Sequence, residues 1–580
     1  MTMVTAFETI PALLAARVRA TPAAVAFMEK DGDGRWRSTC WGAFGAAVSD
    51  LARRLRSIGL GPGDSVAILM PNSVMWETVQ HAVYRLGGVV IGLDLNDPPV
   101  RVAEIFARCA PTTLFVDRTE RLRQLSSTSL KGLRVIIAGQ IDQGAPVPAR
   151  GGFFVLNNLP AATDVALPAT VGGTATATVL FTSGTTGRPK AFSYEHRQVA
   201  AAVRAIVRHF GQLPEQAHTA CWLPLANPFQ RIINFCALAM NWKAFMVPEP
   251  ATIMTQVPQI APHVFAAVPR FFEKVMDGIH REIAGMPAVR RMPAQWALRI
   301  AAAYRTTVSA GRRPAGCLRL LHRMADRLVL RRIREVMGPH LRYGISGSAA
   351  MPAALVRAFD ALGWPILEAY GISENIVPMA MNVPGAIRPG SVGRPMAENT
   401  LRVAPDGEIL VKGIGVSSEA GPLTDEGFLK TGDLGILDDE GFLWLTGRKN
   451  DLFKLSTGRK VSPAAIEEAL GGIDGVEFAV ATGQDRRYVV ALLNMNPARW
   501  CLLNQRQNGL QGALGHLRLM ARQACAHLPA YCRPVDIAVV QDPFTTRTGE
   551  LTTNMKLRRD HVLAKYTDVI EALYRRQSHV

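Results

Sequence analysis

The chain has 580 residues, too many for one ordinary hydrophobic core, so we expect two to four domains or subdomains. Hydrophobic residues make up 48% of the sequence and charged residues 19%, and no repeat or low-complexity tract occurs, which indicates a globular protein. The eight cysteines are scattered without a C-x-x-C pair, which argues against a zinc ribbon or a disulfide framework and favours a reducing compartment.

The N-terminal segment lacks a basic stretch followed by a long apolar one, so we expect no secretory signal. No run approaches the roughly 18 uncharged apolar residues that a membrane-spanning helix needs. These features predict a soluble, cytoplasmic protein.

The predicted elements alternate between strands and helices. Residues 8–60 show helical patterning, and a β-α-β rhythm follows at the apolar runs SVAILMPN, VVIGLDLN, TLFVD and RVIIAG. From 175 to 270 a glycine-rich loop leads into the helical run EHRQVAAAVRAIVRHF, and strands are predicted at TACWLPLA, AFMVP and VFAAVP. Two strand-to-loop transitions, LRYGISGSAAM and PILEAYGISE, come after an arginine-rich helical segment.

This arginine-rich segment, residues 281–342, has fourteen arginines against three acidic residues, and so carries +11 of the net charge of +18. Apolar residues recur in it at helical spacing, as in LRLLHRMADRLVLRRIREVM. The pattern is typical of a solvated helix face, but it also suits contact with an anionic membrane or attraction of phosphorylated ligands. We expect no nucleic-acid partner, because neither a recognised module nor interleaved aromatic residues accompany the charge.

The character of the sequence changes after about residue 385. Short alternating runs with Asp-Gly and Glu-Gly turns predict hairpins, and an α+β pattern follows from residue 449. We therefore predict an α/β protein with a boundary near Gly447–Asn450, which separates a large N-terminal domain (1–448) from a smaller C-terminal domain (449–580).

The glycine-rich loop has the sequence TSGTTGRPK. It does not fit the Walker pattern, because two residues separate its glycines and alanine follows its lysine. Backbone N–H groups freed by glycine, hydroxyl donors and one cation nevertheless favour polyphosphate binding. The candidate phosphate-binding residues are Thr182, Ser183, Gly184, Thr185, Thr186, Gly187 and Lys190.

The run FTSGTTGRPK resembles the phosphate-loop signature of the adenylate-forming superfamily, which includes acyl-CoA synthetases, carrier-protein-loading adenylation domains and firefly-type luciferases. Four more motifs occur in the family's order, so the resemblance covers roughly residues 10–570. It implies stacked α/β subdomains with a small β-barrel-like part, followed by a small mobile α+β domain. Ala191 stands where the family commonly has glycine. Its methyl group disfavours a positive φ, which we interpret as tuning rather than inactivation.

The second motif, EAYGISEN, resembles the family's aromatic-Gly-x-Thr-Glu element and contains Gly371. The resemblance implies that Tyr370 stacks on adenine and that Glu374 holds Mg²⁺, a hard cation that takes oxygen ligands. It places Thr185 at the metal as well. Ser373 replaces the usual threonine and keeps its hydroxyl.

The third motif is KTGDLGILDDEGFLWLTGRKNDLFK. The resemblance implies that the two carboxylate oxygens of Asp433 accept both ribose hydroxyls and that Arg448 reaches the ribose or a phosphate. The hinge position falls on Asn450, where the family usually has Asp or Lys. Asparagine tolerates unusual φ and ψ angles, so we still expect rotation there.

The fourth motif, LSTGRKVSPAAIEEAL, resembles the stretch that lines the family's pantetheine channel and begins a helix at Ser-Pro. Gly458 matches a glycine that lets the thiol arm pass close to the backbone. Thr457 stands where a second glycine is common, so we expect a narrower channel.

The fifth motif, RTGELTTNMKLRRDH, resembles the stretch with the C-terminal catalytic lysine, which falls on Lys556. A lysine suits this step because negative charge builds where the carboxylate meets the α-phosphate. Arg558, Arg559 and Lys565 are the neighbouring cations for which Lys556 could be mistaken.

The runs WLPLANPFQRIINFCAL and HVFAAVPRFFEKV and the arginine-rich insertion resemble long-chain fatty acyl-CoA synthetases in particular. Asn227 stands where that subfamily has histidine, close to the acyl and adenylate site, to which we also assign Phe229. The small residues Gly347, Ser348 and Ala349 are expected to form a thin wall beside the acyl group and adenine.

The resemblance implies an ATP- and Mg²⁺-dependent ligase that converts a fatty or other apolar carboxylic acid to acyl-AMP, with Lys190, Glu374 and Lys556 as catalytic residues. The acyl group then passes to a thiol, with CoA as the default acceptor and a phosphopantetheinyl acyl carrier protein as the alternative. A hypothesis from another class is a non-catalytic, nucleotide-binding or membrane-associated scaffold, which the release of pyrophosphate would exclude.

Overall fold

The structure is a computed structural model that describes residues 4–143, 152–183, 189–545, 547–552 and 557–577. The chain divides into two compact units. The larger unit consists of Met1–Leu401 and Val411–Leu429, and the smaller of Arg402–Leu410 and Lys430–Val580. The main segment of the smaller unit begins at Lys430, before the domain boundary that we predict near residue 448. That boundary stays a prediction.

The secondary structure is as follows. The strands are β1 (Val25–Lys30), β2 (Trp36–Cys40), β3 (Ser65–Leu69), β4 (Val89–Gly92), β5 (Thr113–Arg118), β6 (Val135–Gln140), β7 (Gly152–Val155), β8 (Thr176–Ser183), β9 (Pro189–Glu195), β10 (His218–Cys221), β11 (Lys243–Met246), β12 (Val264–Ala267), β13 (Tyr343–Ser346), β14 (Ile366–Tyr370), β15 (Ala380–Met381), β16 (Arg394–Pro395), β17 (Asn399–Val403), β18 (Glu408–Gly413), β19 (Leu429–Leu437), β20 (Leu443–Arg448), β21 (Phe453–Lys454), β22 (Lys460–Val461), β23 (Val476–Thr482), β24 (Val490–Met495) and β25 (Asp536–Val540). The α-helices are α1 (Ile10–Ala20), α2 (Trp41–Ser57), α3 (Val74–Arg85), α4 (Pro99–Cys109), α5 (Ser127–Lys131), α6 (His196–Val207), α7 (Pro228–Met240), α8 (Ile253–Ile260), α9 (Pro269–Gly285), α10 (Ala288–Ser309), α11 (Gly316–Ala325), α12 (Arg331–Arg334), α13 (Ala353–Ala361), α14 (Pro463–Gly471), α15 (Pro497–Arg506), α16 (Leu510–Ala524), α17 (Arg559–Lys565) and α18 (Thr567–Gln577).

One sheet of the larger unit has the strand order β7-β6-β5-β3-β4-β8-β9. All of its neighbouring strands run parallel except β9, which pairs antiparallel with β8 at the edge. The central parallel strands are covered on both faces, which is why β3 has the continuous apolar run VAIL. The predicted β-α-β rhythm is confirmed here.

The second sheet has the order β16-β15-β14-β13-β12-β10-β11-β1-β2. Its central strands are parallel, and antiparallel strands form both edges. The helical prediction for residues 8–60 is wrong for the part that forms the β1–β2 hairpin. In that part, β1 pairs with both β11 and β2, so pairing with neighbouring strands dominates over helical spacing.

Helices of the larger unit fill the space between its sheets. Trp76 of α3 and Phe235 of α7 share one buried cluster with Ile68 of the first sheet and Met246 of the second. Helices α9, α10 and α13 cover the other face of the second sheet, and α4 covers the other face of the first. The layers confirm the predicted α/β class with stacked subdomains.

The smaller unit is built around the sheet β23-β24-β25. Helices α14 and α16 cover one face, where Ile466 and Leu517 are buried, and α18 covers the other, where Leu573 is buried. The predicted α+β character and the Ser-Pro helix start are confirmed, since Ser462 precedes Pro463 at the N-terminus of α14.

The arginine-rich segment is helical, as predicted. Helices α9, α10, α11 and α12 cover most of it, and a π-helical turn, Asp326–Leu330, joins the last two. Of the helices in the described ranges, none combines the length and the apolar character required to cross a membrane.

A buried polar network lies between α3, α7 and β8, which the sequence does not predict. Its members are Glu77, Gln80, Tyr84, Thr178, Arg231 and Asn234. The Arg231 guanidinium donates hydrogen bonds to Gln80 (2.7 Å), Thr178 (2.9 Å) and Tyr84 (2.6 Å). Burial raises the pKa of Glu77, although hydrogen bonds and the charge of Arg231 oppose that shift. The network therefore fixes α7 against α3 through one buried cation.

We expect the buried imidazole of His196 to make the protein sensitive to acid. The side chain is fully buried, its two ring nitrogens have no hydrogen-bond partner among the described residues, and burial lowers its pKa to about 4. As the pH falls below about 6.5, the unfolded chain binds a proton that the folded chain does not, so stability decreases by about 1.4 kcal/mol per pH unit until pH about 4.

The test compares wild type with His196→Leu by urea unfolding at neutral pH and at pH about 5. The stability of the variant relative to wild type should increase by about 2 kcal/mol over that interval. An equal pH dependence of the two proteins would contradict the assignment.

Candidate functional site

The predicted phosphate loop connects two antiparallel strands. Thr182 is opposite Lys190, and Ser183 is opposite Pro189, in the β8–β9 register. The prediction that the loop leads directly into a helix is therefore wrong, because β9 intervenes before α6. The exposed Lys190 lies near the start of β9. The predicted residues Gly184, Thr185, Thr186 and Gly187 lie outside the described residues.

Ala191 pairs with Phe181 within the same hairpin and has no positive φ. The expected conflict between its methyl group and a left-handed backbone therefore does not arise. An extended strand accepts alanine without strain.

Two adjacent parallel strands of the second sheet end at the same edge. Tyr370 is the last residue of β14, and its side chain is 7% exposed. Gly347, Ser348 and Ala349 follow β13 directly, and the space beside Gly347 is narrow. A Cβ atom there would lie 3.3 Å from the ring of Phe229. The carboxyl edge of parallel strands is where α/β proteins place ligands.

Backbone strain marks the same edge. Ser348 has a φ of 73°, in the left-handed region that residues other than glycine rarely occupy. Such strain concentrates at binding sites, where the surrounding structure holds it in place.

The loop after β14 is tied to β9. The hydroxyl of Tyr194 in β9 donates to the carbonyl oxygen of Ser373. The backbone N–H of Ser417 donates to the carbonyl oxygen of Glu374 (2.9 Å), and that of Ser193 donates to the Glu419 carboxylate (3.1 Å). These contacts bring the strand that carries Lys190 beside the loop that carries Gly371, Ser373 and Glu374.

The Glu374 carboxylate makes no hydrogen bond or ion pair with the part of the chain that the structure describes. Its charge acts on Tyr194: burial, followed by the charges of Glu374 and Glu419, raises the pKa of that phenol. Glu374 therefore offers a half-buried carboxylate at the site for a cation or a donor group.

Sequence reasoning missed Tyr194 and Glu419. The run FSY alternates buried and less buried residues, with Phe192 and Tyr194 inside. This period of two predicts a strand, and attention to it could have identified β9 and its inward-facing tyrosine. Nothing local to Glu419 indicates its contact with Ser193.

Asn227 has a local structural role. Its side-chain oxygen accepts the backbone N–H of Phe229 at 3.0 Å, so it caps the N-terminus of α7, where Pro228 occupies the first turn. The ring of the neighbouring Phe229 lies next to Gly347, so the two predicted acyl-site segments are in contact. Asparagine is among the best N-cap residues, which gives a physical reason for its presence in addition to any contact with substrate.

We expect Gly347→Leu to shift acid preference towards shorter chains, because the new side chain would displace the ring of Phe229 from its present contact. The measurement is pyrophosphate release with saturated acids of increasing length. Ala349→Gly, a small change at the same loop, should leave the preference as in wild type. An unchanged chain-length profile in Gly347→Leu would place the acyl group elsewhere.

In the smaller unit the predicted ribose-binding residues are paired. Asp433 in β19 is directly opposite Arg448 in β20, and an ion pair of 3.1 Å links them. Lys449 binds the carboxylates of Asp406 and Glu408, each at 2.7 Å, and these hydrogen bonds raise the pKa of the lysine. Lys449, which sequence reasoning missed, thus fixes the chain directly before the predicted hinge.

The predicted hinge residue lies in a tight turn. The backbone N–H of Asp451 donates to the carbonyl oxygen of Arg448 at 3.2 Å, which makes Asn450 the third residue of the turn. Asn450 has no positive φ, so an asparagine there is not strained. Its role in rotation stays a prediction.

Gly458 lies in the turn between β21 and β22. Its φ is +83°, which favours glycine, and a Cβ atom there would meet no atom within 4 Å. The space over Gly458 is therefore open, and the neighbouring Thr457 is exposed. Passage of a thiol arm over this glycine stays a prediction.

Lys556 lies outside the described residues, between segments that are joined by a bridge from Leu551 to Leu557. Two of the neighbouring cations have other partners. Lys565 pairs with the buried Glu550, and Arg559 pairs with Glu467. Although burial opposes it, hydrogen bonds from Lys565 and Thr548 lower the pKa of Glu550 to about 2. Lys565 and Arg559 therefore form ion pairs within the smaller unit.

Comparisons with known proteins identify the family of this chain. The profile of the family described as AMP-binding enzyme matches residues 14–419, and that of the AMP-binding enzyme C-terminal domain matches residues 450–578. The chain is 28% identical to long-chain-fatty-acid–CoA ligase FadD15 of Mycobacterium bovis over 94% of each protein. It is 24% identical to long-chain-fatty-acid–[acyl-carrier-protein] ligase AEE15 of Arabidopsis thaliana, with 91% of this chain and 81% of that protein covered.

Among solved structures, the adenylation domain of a carboxylate reductase from Mycobacterium chelonae is similar with a TM-score of 0.74. Sequence identity is 19%, and 98% of this chain and 91% of that one are covered. This likeness concerns the fold, and it confirms the predicted large α/β N-terminal part and smaller C-terminal part.

Proposed function

Since the chain belongs to the family of AMP-binding enzymes, we propose that it is an AMP-forming acid–thiol ligase for a fatty or other apolar carboxylic acid. Such an enzyme first converts the acid and ATP to acyl-AMP and pyrophosphate. It then transfers the acyl group to a thiol, which we propose to be that of CoA. The similarity to a fatty-acid–CoA ligase along almost the whole chain supports this choice.

The observation that carries the proposal is the junction of β9 with the loop after β14. The hydrogen bond from Tyr194 to Ser373 joins the strand of Lys190 to the loop that carries Glu374, and Tyr370 ends β14, the strand before that loop. A cation from the first motif and an aromatic ring and a carboxylate from the second motif thus lie on neighbouring segments. A nucleotide triphosphate needs these three groups for its phosphates, its metal and its base.

In the first step, a carboxylate oxygen of the acid attacks the α-phosphorus of ATP, and the bond from that phosphorus to the leaving pyrophosphate breaks. Lys190 and the loop residues before it hold the phosphates, and Tyr370 stacks on adenine. Asp433 accepts the ribose hydroxyls in this proposal, and Lys556 stabilises charge at the reacting oxygens. Catalysis is then mainly positioning and electrostatic stabilisation.

The residues present suit Mg²⁺. Glu374 offers a carboxylate without a competing hydrogen bond among the described residues, and hard oxygen ligands together with phosphates are the usual environment of this ion. Glu374 would hold the ion, with Thr185 as the second candidate ligand. The ion would supply positive charge against the phosphates during adenylation.

In the second step, the thiol sulfur attacks the acyl carbon, AMP leaves, and the thiol loses its proton. We propose that the segment with Gly458 faces the thiol arm and that Asn450 is the hinge for the change between steps. The open space over Gly458 supports this role.

The acceptor is tested with ATP, a panel of fatty acids, and either CoA or an acyl carrier protein that bears phosphopantetheine. Acyl-AMP and thioester are followed by mass spectrometry. We expect thioester with CoA. Thioester with the carrier protein alone would favour the second candidate, which the similarity to an acyl-carrier-protein ligase supports. ATP binding without pyrophosphate release from any acid would overturn the proposal in favour of a scaffold.

We further propose that the enzyme works in the cytoplasm, where its eight free thiols would stay reduced, and that residues 281–342 contact a membrane surface. The excess of arginine in that segment supports this contact.

A further inference from the structure

An apolar stripe faces outward on α11 and the π-helical turn after it. It consists of Leu320, Leu321, Met324 and Leu328, whose side chains are 37% to 62% exposed. Residues three or four positions apart lie on one face of a helix, so the four side chains form a continuous band. The opposite side of the helix is anchored, since Ala325 is fully buried and His322 stacks on Tyr304 of α10 with ring centroids 4.1 Å apart.

An arginine stripe runs beside the apolar stripe. It consists of Arg319, Arg323, Arg327 and Arg331, each four positions from the next and each exposed. Within the described ranges, none of the four guanidinium groups forms a hydrogen bond or an ion pair. The acidic Asp326 nearby is already paired with Arg334 at 2.5 Å. The four guanidinium groups are thus available for anions outside the chain.

A further apolar pair is exposed at the start of α10. Val289 and Met292 flank Arg290 and Arg291, so the same alternation of apolar and cationic side chains recurs on the helix that packs against α11. Isolated exposed apolar residues are normal on a protein surface. Two groups of exposed apolar residues on one pair of helices, each beside arginines, instead indicate an interaction site.

We infer that α11 and its π-helical turn dock on the surface of an anionic phospholipid bilayer. Apolar side chains on one face of a helix enter the boundary between headgroups and acyl chains, while neighbouring arginines bind lipid phosphates. Each arginine near an anionic surface contributes about 1 kcal/mol, so the arginine stripe and the apolar stripe act together. The charge complementarity selects anionic over neutral lipid.

A second copy of this chain suits the surface poorly. In a two-fold dimer the same patch meets itself, which would place the two arginine stripes against each other without intervening anions. A nucleic acid would use the arginines, but it would leave the aliphatic stripe in water.

The benefit of docking to the enzyme rests on the proposed function, whereas the binding of the helix to lipid does not. A long-chain acid partitions into bilayers, so an enzyme held at the surface meets its substrate at a high local concentration. Binding to vesicles itself needs neither ATP nor acid, which keeps the two proposals separable.

The test is co-sedimentation of the full chain with vesicles of phosphatidylcholine, with or without about 30 mol% phosphatidylglycerol. We expect binding to the anionic vesicles only, and weaker binding at high salt. Two variants should each weaken binding to the anionic vesicles by about tenfold or more. The first combines Leu320→Ser, Met324→Ser and Leu328→Ser, and the second changes all four arginines of the stripe to Gln. The matched control changes three exposed leucines of the smaller unit to Ser: Leu502, Leu510 and Leu519.

Far-ultraviolet circular dichroism verifies that each variant is folded. The inference would be overturned if the apolar-stripe variant bound anionic vesicles as strongly as wild type, or if wild type bound neutral and anionic vesicles equally. It would also be overturned if wild type were a dimer and the apolar-stripe variant a monomer. In an assay of acid activation, the variants should activate palmitate held in anionic vesicles more slowly than wild type does. They should activate soluble hexanoate at the wild-type rate. If no acid is activated, the proposed function fails while the vesicle result stands.

Discussion

Replacing Lys556 by alanine is expected to slow acyl-AMP formation by about 10²–10³-fold, because it removes a positioned cation from oxygens on which negative charge develops. Thioester formation from preformed acyl-AMP should change far less, since that step breaks no bond at the α-phosphate of ATP. The two rates are measured separately, as pyrophosphate release and as thioester produced from synthetic acyl-AMP.

The neighbouring cations supply the controls for this experiment. Arg558 is exposed, and its side chain donates a hydrogen bond to the carbonyl oxygen of Gly549 at 3.4 Å. Arg558→Ala should therefore adenylate as wild type does, and Lys556→Arg should recover part of the lost rate. Equal loss of both steps in Lys556→Ala would contradict the assignment of this lysine.

Arg231→Met is expected to lower the free energy of unfolding by about 3–5 kcal/mol, the range found when one partner of a buried charged group is removed. The substitution leaves Gln80, Thr178 and Tyr84 without their buried donor and removes the charge that favours the ionised form of Glu77. Urea unfolding followed by tryptophan fluorescence is a suitable measurement, because Trp76 lies 5.5 Å from the guanidinium.

A surface arginine of the same layer is the matched control. Arg208 pairs with Glu398 and has a side chain that is 43% exposed. Exposed ion pairs contribute little, so Arg208→Met should cost about 1 kcal/mol or less. A similar loss in the two variants would mean that the buried network contributes no more than a surface pair.

The comparison of prediction and structure is clearest at the phosphate loop. The residue types of TSGTTGRPK are sufficient to predict phosphate binding, because the chemistry of glycine, hydroxyl groups and lysine is local. The β9 strand after it was missed although FSY has a period of two, because the long helical pattern that follows dominates this part of the sequence. The concern about Ala191 followed from that error.

The apolar strands were predictable for a different reason. Runs such as VAIL and VFAA are covered on both faces, so each of their positions favours an apolar side chain, and the sequence shows the pattern without its partner strands. The β1–β2 hairpin has one partly exposed strand, and its mixed composition conceals it.

By itself the sequence determined the order of the motifs, the α/β class, and the residue types at the candidate site, because each depends on composition and spacing along the chain. Only the tertiary structure decided that Tyr194 joins β9 to Ser373, that Arg231 is the cation of a buried network, and that the apolar stripe of α11 faces outward. Each of these depends on which distant segment packs against a side chain. Helical spacing of apolar residues is the same whether the stripe is covered by a core or left for a membrane.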